Sequence, residues 1–351
     1  MSGGSPRVLV AMSGGVDSSV AAAMLREAGH VVVGVTMKLW GGASDTGCCS
    51  VSDVDDARRV ADQLGIDHHT FNFGDDFDEH VVAPYVAAHV AGLTPNPCVA
   101  CNRHLKFDRL LRRADALGFD RVATGHHARV VELSDGTRRV ARGADAAKDQ
   151  SYVLHMLDQR ALARVTFPVG TTTKDEVRRT AAAMGLRTAD KPDSQDVCFI
   201  TSTGGRAAFL GERVSFTPGR MVDTAGHEVG RVDAVELVTI GQRRGLGLAG
   251  GGEPRYAVAV DRAAATVTVG SRADLLTCTT DVGALEWAHL PFAGDVTVQC
   301  SAHGSPAPAV LEARPDGSVT VQWQEHHERV APGQSVVFYR GDEVLGGGTA
   351  R

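Results

Sequence analysis

A short apolar strand that runs into a glycine-rich turn and a helix start, within Arg7–Ser19 (RVLVAMSGGVDSS), most constrains the fold of this chain. Val8–Ala11 predicts a buried strand, and the residues after it predict a sharp turn into a helix that begins near Ser18. The two glycines lack Cβ atoms, so the backbone can direct N–H groups at an anion, and the helix start and the serine hydroxyls add donors. The stretch predicts a phosphate-binding loop. The alternative is an ordinary strand-to-helix turn in which Asp17 caps the helix.

The spacing of this loop excludes two common nucleotide-binding loops. It lacks the lysine of the pattern G-x-x-x-x-G-K-[ST], and it does not have the spacing of G-x-G-x-x-G. The pattern SGGxDSS instead resembles the pyrophosphate loop of adenylating ATP pyrophosphatases, which hold the β- and γ-phosphates of ATP and release them as pyrophosphate.

Short β-branched runs alternate with helical patterns up to about residue 130, which predicts a parallel sheet with helices on both faces. The further strands are expected at Val31–Leu39, His69–Phe73 and Arg121–Gly125, and the helices at Val51–Leu64, 76–91 and 103–117. Ligands of such sheets bind beyond the carboxyl ends of the strands. Gly14, Met37 and Gly125 fall at such ends, which predicts that they meet one nucleotide. Simple core packing is the alternative for Met37.

A second unusual stretch is Thr94–Asn102 (TPNPCVACN), whose two prolines predict a rigid loop followed by a helix that begins near Asn102. Cys101 would then lie at a helix N-terminus, where a thiol is more readily ionised to the reactive thiolate. Together with Cys98 it forms a C-x-x-C, which is typical of half a zinc site or of a redox pair. The basic run that follows, NRHLKFDRLLRR, favours either a solvated face or a phosphate-backbone contact.

The remaining cysteines carry weaker signals. Cys198 lies in the apolar run VCFI, where a cysteine is more often a small buried hydrophobic residue than a catalyst. The chain has seven cysteines at irregular spacing, which argues against a disulfide framework. The N-terminal MSGGSP has neither a basic n-region nor an apolar h-region, and no apolar run approaches the roughly 18 residues of a membrane helix, so we expect a cytoplasmic protein with no membrane partner. With a net charge of −6, a nucleic-acid partner would have to be bound by local basic patches.

The rest of the chain predicts a change from α/β to mostly β structure. A hairpin over Arg129–Val140, a polar helix start at Lys148–Tyr152 and a capping box at Thr173–Glu176 come first. Strand-like runs then follow at Val235–Ile240, Tyr256–Val260, Thr266–Val269, Val296–Cys300, Val319–Trp323 and Ser335–Tyr339. We expect a catalytic α/β domain over residues 1–204, a small central connecting module over 205–274, and a C-terminal β-barrel over 275–351.

Taken together, these stretches resemble one family, the bacterial tRNA-specific 2-thiouridylases. The resemblance runs in order over nearly the whole chain and rests on SGGVDSS at 13–19, TMKLW at 36–40, CCS and DVDDARRVAD within 48–62, TPNPCVACNRHLKF at 94–107, ATGHHAR at 123–129, KDQSYVL at 148–154, DSQDVCFI at 193–200, GQRRGLG at 241–247, and PGQSVVFY with LGGG within 332–348. It implies an N-terminal sheet of the adenine-nucleotide α-hydrolase type and a tRNA-binding C-terminal barrel.

The resemblance also implies an activity, which is replacement of the C2 oxygen of the wobble uridine of tRNA by sulfur. ATP would adenylate that oxygen and so turn it into a good leaving group. By motif, ATP would be bound by Ala11, Met12, Ser13, Gly14, Gly15, Val16, Asp17, Ser18, Met37 and Gly125, and Asp17 would help to hold Mg²⁺.

The same resemblance assigns the two cysteines and the tRNA contacts. Cys198 would carry the sulfur as a persulfide, received from a relay that begins with a cysteine desulfurase, and Cys101 would release it by closing a transient Cys101–Cys198 disulfide. The substrate would be tRNA of the Lys, Glu or Gln type with its base unstacked. The target base would meet Asn96, Pro97 and Cys98, and the rest of the tRNA would meet His126, Lys148, Asp149, Gln150 and Gln334.

One segment departs from the family pattern. Val298–Gly304 (VQCSAHG) has Ser301 and Ala302 where an arginine and an aromatic residue are expected, so a tRNA contact there is in doubt. Two other functions remain open from the residues alone. An adenylating enzyme with a small-molecule acceptor would need a source of ammonia, and a zinc-dependent RNA-binding module would bind zinc and consume no ATP.

Overall fold

A parallel sheet forms the centre of the N-terminal part of the molecule. The computed structural model describes residues 5–39, 51–193, 197–200, 205–248 and 253–351. The first strands in chain order are β1 (Arg7–Ala11), β2 (Val31–Lys38), β3 (Asp67–Asn72), β4 (Arg121–Thr124), β5 (Ala128–Glu132), β6 (Arg138–Arg142) and β7 (Val165–Thr166). Five of those described strands pair in the order β3-β2-β1-β4-β7, and each pair is parallel. The predicted parallel sheet is confirmed.

Helices cover both faces of this sheet, as predicted. The helices are α1 (Val16–Glu27), α2 (Val51–Leu64), α3 (Gly74–Phe77), α4 (Ala83–Val90), α5 (Pro97–Cys101), α6 (Leu110–Ala116), α7 (Gln159–Leu162) and α8 (Lys174–Ala183), with π-helical turns Asp78–Val82 and Asn102–Arg109 and 3-10 turns Ser151–Leu154 and Pro168–Thr171. On one face, α1, α2 and α8 pack against Val8 and Val10. On the other, the helical segments between residues 77 and 114 pack against Leu9. Because both faces are covered, β1 is a continuous apolar run.

The central module contains a small mixed sheet. Helix α9 (Gly205–Gly211) precedes β8 (Gly219–Val222), β9 (Glu228–Val232), β10 (Tyr256–Asp261) and β11 (Thr266–Gly270), which pair in the order β10-β11-β8-β9. The predicted strand at Val235–Ile240 is wrong, because Val235–Leu237 forms a 3-10 turn. There the Val235 N–H donates to the Thr217 carbonyl, and the Val235 side chain packs in the core of the module. The apolar run therefore covers the sheet and does not form one of its strands.

The C-terminal part is a closed barrel, as predicted. After a 3-10 turn at Ala273–Leu275, its strands are β12 (Leu276–Trp287), β13 (Gly294–Gln299), β14 (Ala307–Ala313), β15 (Val319–Glu328), β16 (Ser335–Arg340) and β17 (Glu343–Ala350). They pair in the order β12-β15-β14-β13-β16-β17, and β12 also pairs with β17, which closes the barrel. A closed barrel leaves no unpaired edge.

The predicted hairpin is formed by β5 and β6, and it joins the barrel instead of the parallel sheet. Ala141 on β6 pairs with Glu343 on β17. Ion pairs support this junction, from Arg139 to Glu343 at 2.7 Å and from Arg103 to Glu286. A shared apolar cluster also joins the two parts and contains Ala128, Tyr152, Val337, Tyr339 and Val344. The barrel is therefore packed directly on the catalytic domain.

In the described parts of the chain, every helix is too short or too polar to span a membrane.

Candidate active site

The predicted phosphate loop connects β1 to α1. The helix begins at Val16, two residues earlier than predicted, because extended Gly15 serves as its N-cap. Gly14 has a φ of +73°, and a Cβ there would collide with the backbone of Asp53 at the start of α2. Only glycine fits this position. Since Gly15 has no side chain to accept the first N–H groups of the helix, those groups are available to an anion.

The serine hydroxyls of the loop hold the loop itself. Ser18 Oγ and Ser19 Oγ donate to the Gly15 carbonyl at 3.1 and 2.8 Å, and the Ser13 N–H donates to Ser18 Oγ at 3.2 Å. Both Ser18 and Ser19 are buried, whereas Ser13 is exposed. The side chains of Met12 and Val16 pack in the core, so any contact they make with a ligand is through their backbone. The backbone and Ser13 are thus the groups that face outwards.

Met37 and Gly125 flank the loop, as expected from strand order. Met37 is at the carboxyl end of β2 and Gly125 directly follows β4, and these strands lie on either side of β1. A Cβ at Gly125 would lie 2.6 Å from the Ser18 nitrogen and 2.8 Å from the Asp17 carbonyl carbon. The structure therefore brings the predicted nucleotide residues to one edge of the sheet. Met37 also belongs to the apolar core there, so the packing interpretation holds for part of its side chain.

Asp17 is the centre of a polar cluster that the sequence did not reveal. The Lys174 ammonium lies 2.8 and 2.6 Å from its two oxygens, and His127 Nε2 lies 3.0 Å from Oδ1. Burial raises the pKa of the Asp17 carboxyl, but the hydrogen bonds from His127 and Lys174 outweigh it and hold the pKa below its ordinary value. Asp17 is therefore ionised, and it is the second residue of α1 instead of its cap.

The same lysine connects Asp17 to Asp193. Lys174 Nζ is 2.9 Å from Asp193 Oδ1, and Asp193 also accepts from Lys148 and Arg178, each at 2.7 Å. Burial raises the pKa of Asp193, but the hydrogen bonds from Lys148 and Lys174 dominate and lower it strongly. The capping box at the start of α8 is confirmed, and it fixes the helix turn from which Lys174 projects.

The carboxylate of Asp17, the expected magnesium ligand, is bonded within the protein. Both oxygens of this carboxylate are engaged by Lys174, and one also accepts from His127. Over the same part of the chain, no group of three or more His, Cys, Asp or Glu side chains could hold a metal ion. Among the described residues, no further ligands join Cys98 and Cys101 to form a zinc site. Cys48 and Cys49 lie outside the described residues.

Cys101 and Cys198 pack against one apolar cluster. Cys101 is buried and Cys198 is half-buried, and the cluster also includes Leu9, Met37 and Phe199. Two cysteines that are 97 positions apart in sequence thus pack into the apolar cluster on the same face of the sheet. Val197, immediately before Cys198, has a φ of +55°, a strained conformation for a β-branched residue.

The predicted helix start at Asn102 is wrong. Helix α5 begins at Pro97, and Asn96 caps it by accepting the Cys98 N–H at 3.0 Å. Proline suits the first helical position because it has no N–H to satisfy there. Cys98 is therefore in the first turn, whereas Cys101 is a full turn further on and continues into the π-helical segment. The helix-terminus argument for a thiolate at Cys101 does not hold in this structure.

The three residues expected at the target base lie where the catalytic domain meets the barrel. The Thr94 N–H donates to the Pro332 carbonyl at 2.7 Å, which joins the loop before Asn96 to the loop that carries Gln334. A Cβ at Gly333, whose φ is +90°, would come within 2.8 Å of Thr94 N. Gln334 Oε1 accepts from Ala331 N at 3.3 Å, and its side chain remains half-buried. Asn96, Pro97, Cys98 and Gln334 thus share this junction.

The other residues expected to bind tRNA are mostly engaged within the protein. Asp149 accepts from Arg142 and from the N–H groups of Gly143 and Ser151, and Gln150 Oε1 accepts the His127 N–H at 2.9 Å. His126 is buried and bonded to Thr124 Oγ1 at 2.6 Å, and burial holds its pKa well below the ordinary value, so it is neutral. Lys148 keeps 43% of its side chain exposed and pairs with Asp193.

The remaining candidate contacts are also satisfied internally. In the segment that departs from the family pattern, Gln299 accepts from Arg142 at 3.0 Å and donates to the Ser301 carbonyl, and burial raises the pKa of the Cys300 thiol to about 12. In the basic run after Cys101, Arg103 pairs with Glu286, Arg109 with Asp76 and Arg112 with Asp108, and Arg113 lies over the Phe71 ring. These contacts favour a structural role for those arginines.

Comparisons with known proteins agree with this architecture. Residues 6–202 match the family model of the tRNA methyl transferase HUP domain, residues 207–271 that of the tRNA methyl transferase PRC-barrel domain, and residues 282–350 that of the aminomethyltransferase β-barrel domain. The chain is 50% identical to a tRNA-specific 2-thiouridylase MnmA of Chloroflexus aurantiacus, over 97% of each chain. It is 45% identical to the protein of that name from Carboxydothermus hydrogenoformans, over 99% of this chain and 98% of the relative. It is 47% identical to that from Mycolicibacterium smegmatis, over 98% and 99%.

Proposed function

The chain belongs to the tRNA-specific 2-thiouridylase (MnmA) family, and from this premise we propose that it replaces the C2 oxygen of the wobble uridine of tRNA with sulfur in an ATP-dependent reaction. Two observations carry the proposal: a glycine-rich loop leads into a helix start that has no side-chain cap, and Cys101 and Cys198 pack against one apolar cluster. A sulfur carrier, a second thiol and a phosphate loop are the three parts that this chemistry needs.

The glycine-rich loop is the proposed ATP site. The free N–H groups at the start of α1 and the outward-facing backbone of Ala11–Ser18 would bind the β- and γ-phosphates. Met37 and Gly125, on the strands either side of β1, would border the adenosine. Because Gly14 lies against Asp53 and Gly125 lies against Asp17, the loop is held in shape before ATP arrives, which lowers the entropic cost of binding.

The first chemical step is adenylation of the uridine. The C2 carbonyl oxygen attacks the α-phosphorus of ATP, a bond forms between that oxygen and phosphorus, and pyrophosphate leaves with the electrons of the broken P–O bond. An oxygen double-bonded to carbon is a poor leaving group, whereas the AMP ester is a good one. The helix start and the loop would stabilise the negative charge that accumulates on the departing phosphates.

The second step transfers sulfur to the activated carbon. A persulfide on Cys198, loaded by a relay that starts at a cysteine desulfurase, supplies the terminal sulfur. The Cys101 thiolate attacks Cys198 Sγ, the bond to the terminal sulfur breaks, and that sulfur attacks C2 and displaces AMP. A Cys101–Cys198 disulfide remains, and a dithiol reductant returns both residues to thiols. The apolar surroundings of the two cysteines limit hydrolysis of the adenylated base.

The substrate is proposed to enter at the junction between the catalytic domain and the barrel. Asn96, Pro97 and Cys98 at the first turn of α5 would meet the unstacked base. Gln334 on the facing loop and the exposed Lys148 would bind neighbouring nucleotides. We infer that His126, Asp149 and Gln150 act on tRNA through the segment that they hold in place. Transfer RNAs of the Lys, Glu and Gln type are the proposed substrates, and the cytoplasm is the proposed location.

Mass spectrometry of an anticodon fragment of tRNA tests this function. The protein is incubated with tRNA, ATP and a persulfide donor, and the fragment is weighed after nuclease digestion. We expect one exchange of oxygen for sulfur with the wild type, which is lost without ATP and lost in Cys101→Ser and Cys198→Ser. Cys278→Ser is the matched control, since Cys278 is an exposed cysteine on β12 of the barrel, and it should retain activity. Absence of exchange in the wild type, with ATP still cleaved for another acceptor, would refute the tRNA function.

A further inference from the structure

The glycine-rich loop contains no lysine, and the fold supplies one from a distant helix. We propose that Lys174 binds the polyphosphate of ATP and the pyrophosphate that leaves, and that Asp17 and Asp193 are positioning residues that hold its ammonium beside the loop. The inference rests on the proposed function, since it assigns a further residue to the same site.

The position of Lys174 is fixed at both ends of its side chain. Its backbone N–H donates to Asp145 Oδ2 at 2.9 Å in the first turn of α8. Its ammonium is bound by both oxygens of Asp17, at 2.6 and 2.8 Å, and by Asp193 at 2.9 Å. Only 9% of the side chain is exposed. A lysine is rarely so buried unless it is paired, and here the two carboxylates hold the ammonium in one place.

The placement of Asp17 connects this ammonium to the anion site. Asp17 is the second residue of α1, so its backbone N–H belongs to the unsatisfied first turn that would face a phosphate. A cation bonded to its side chain therefore lies beside the same helix start. Lysine can exchange one of its three N–H donors from a carboxylate to a phosphate oxygen without losing the others. The bound triphosphate would add a partner to Lys174 and need not displace Asp17.

Lys174 is the cation of this cluster that contacts the loop. Lys148, Lys174 and Arg178 share the two carboxylates of Asp17 and Asp193, and a third carboxylate, Asp145, accepts the Lys174 N–H and acts electrostatically on Lys148. Three cations thus balance three anions, and among these cations Lys174 is bonded to Asp17 of the loop. The expected protein ligand for Mg²⁺, Asp17, is already engaged by Lys174 and His127. We therefore assign the positive charge that the protein provides at the loop to Lys174.

Comparing ligands that differ only in phosphate number tests the proposal. Isothermal titration with ATP and with AMP is performed on the wild type, Lys174→Met and Arg179→Met. We expect Lys174→Met to weaken ATP binding on the order of tenfold or more while AMP binding changes by less than about twofold, because charge-assisted bonds to the distal phosphates are lost. Arg179→Met is the matched control, since Arg179 is an exposed cation on the same helix, and it should leave both affinities nearly unchanged. Equal weakening of ATP and AMP binding in Lys174→Met would contradict the proposal.

A measurement on the unmodified protein does not depend on how the variants fold. The chain has five lysines (Lys38, Lys106, Lys148, Lys174 and Lys191), so isotope-labelled lysine gives few NMR signals, each assignable by a Lys→Arg substitution. Inorganic pyrophosphate should shift the Lys174 signal, whereas AMP, which lacks the distal phosphates, should leave it nearly in place. An unshifted Lys174 signal in protein that demonstrably binds ATP would overturn this inference alone. A wild type that binds no ATP would instead count against the proposed function.

Discussion

Asp149 illustrates how one carboxylate can hold a candidate binding segment in place. Its oxygens accept from Arg142 at 2.8 Å, from Gly143 N at 3.0 Å and from both the N–H and the hydroxyl of Ser151, and only 6% of its side chain is exposed. The Arg142 guanidinium in turn lies 3.9 Å from the centre of the Tyr339 ring on the barrel. A residue so fully engaged has little capacity left for a direct bond to tRNA.

We therefore predict that Asp149→Asn acts mainly on stability. Removing the charge leaves Arg142 half-buried without its anion and should lower the free energy of unfolding by about 1–3 kcal/mol. Urea denaturation measures this loss. Lys148→Gln is the neighbouring control, because Lys148 is exposed and its ion pair is worth about 0–1 kcal/mol. That variant should keep its stability and reduce the salt dependence of tRNA binding by about one ion. If Asp149→Asn instead kept its stability and weakened tRNA binding, Asp149 would contact tRNA directly.

Individual residues of the site were predictable only where the signal is local. The loop glycines and the capping box could be predicted because neighbouring residues determine backbone conformation. Lys174 could not, since it meets Asp17 across 157 positions of sequence and its own motif predicts only a helix start. Ser18 and Ser19 were expected to offer donors to a phosphate, yet they bond to Gly15, because a tight turn leaves a carbonyl that nearby hydroxyls satisfy.

At the scale of elements, strand β17 shows why parts of the barrel were missed. It contains Gly346, Gly347 and Gly348, and runs of glycine disfavour a strand on local propensity. A Cβ at Gly346 or Gly348 would collide with the backbone of β12, and a Cβ at Gly347 would lie 2.7 Å from the His155 ring. The glycines are needed where the barrel closes and where the catalytic domain approaches it. Such close approaches arise from tertiary packing, so strand propensity alone gives the wrong result.

Helix α4 carries a prediction about acid stability. His89 on this helix is buried against Tyr85, and burial, with Arg206 and Arg262 nearby, lowers the pKa of His89 to about 4. Between pH 6.5 and about 4 the unfolded chain binds a proton here and the folded chain does not. The free energy of unfolding therefore falls as the pH decreases through this window, by about 1.4 kcal/mol per pH unit for this residue. Above pH 6.5 this contribution is constant.

Urea denaturation at several pH values between 5 and 7.5 measures that slope. We expect His89→Gln to make the loss of stability on acidification shallower, because glutamine does not titrate. His155 has a pKa of about 4 as well and will keep part of the slope. Tyr85→Phe, which alters the ring packed against His89 and removes no histidine, is the control and should keep most of the slope. An identical slope in wild type and His89→Gln would mean that His89 titrates alike in the folded and unfolded chain.

At the scale of the whole molecule, the catalytic domain and the barrel share one apolar cluster in addition to the cores that each has alone, and the central module has a separate core. Tyr152 and Leu154 pack with Val337, Tyr339 and Val344 of the barrel, and the Tyr152 hydroxyl donates to the Ser335 carbonyl at 2.8 Å. The motif KDQSYVL therefore forms part of the joint between the catalytic domain and the barrel. The order of domains could be predicted from the change in sequence texture, but this joint could not, because hairpin and barrel strand are about 200 positions apart.

Because the two parts share this apolar cluster, we predict that a cavity in the barrel also destabilises the catalytic domain. Val337→Ala leaves a cavity in the cluster that contains Tyr152 and should lower the free energy of unfolding by about 2–3 kcal/mol. Hydrogen exchange should then quicken in β16 and also in Ser151–Leu154, since both depend on that cluster. Val267→Ala, which removes the same atoms from the separate core of the central module, should quicken exchange in that module alone. If Val337→Ala loosens only barrel strands, the two parts open independently, and the segment of Lys148 and Asp149 is not held in place by the barrel.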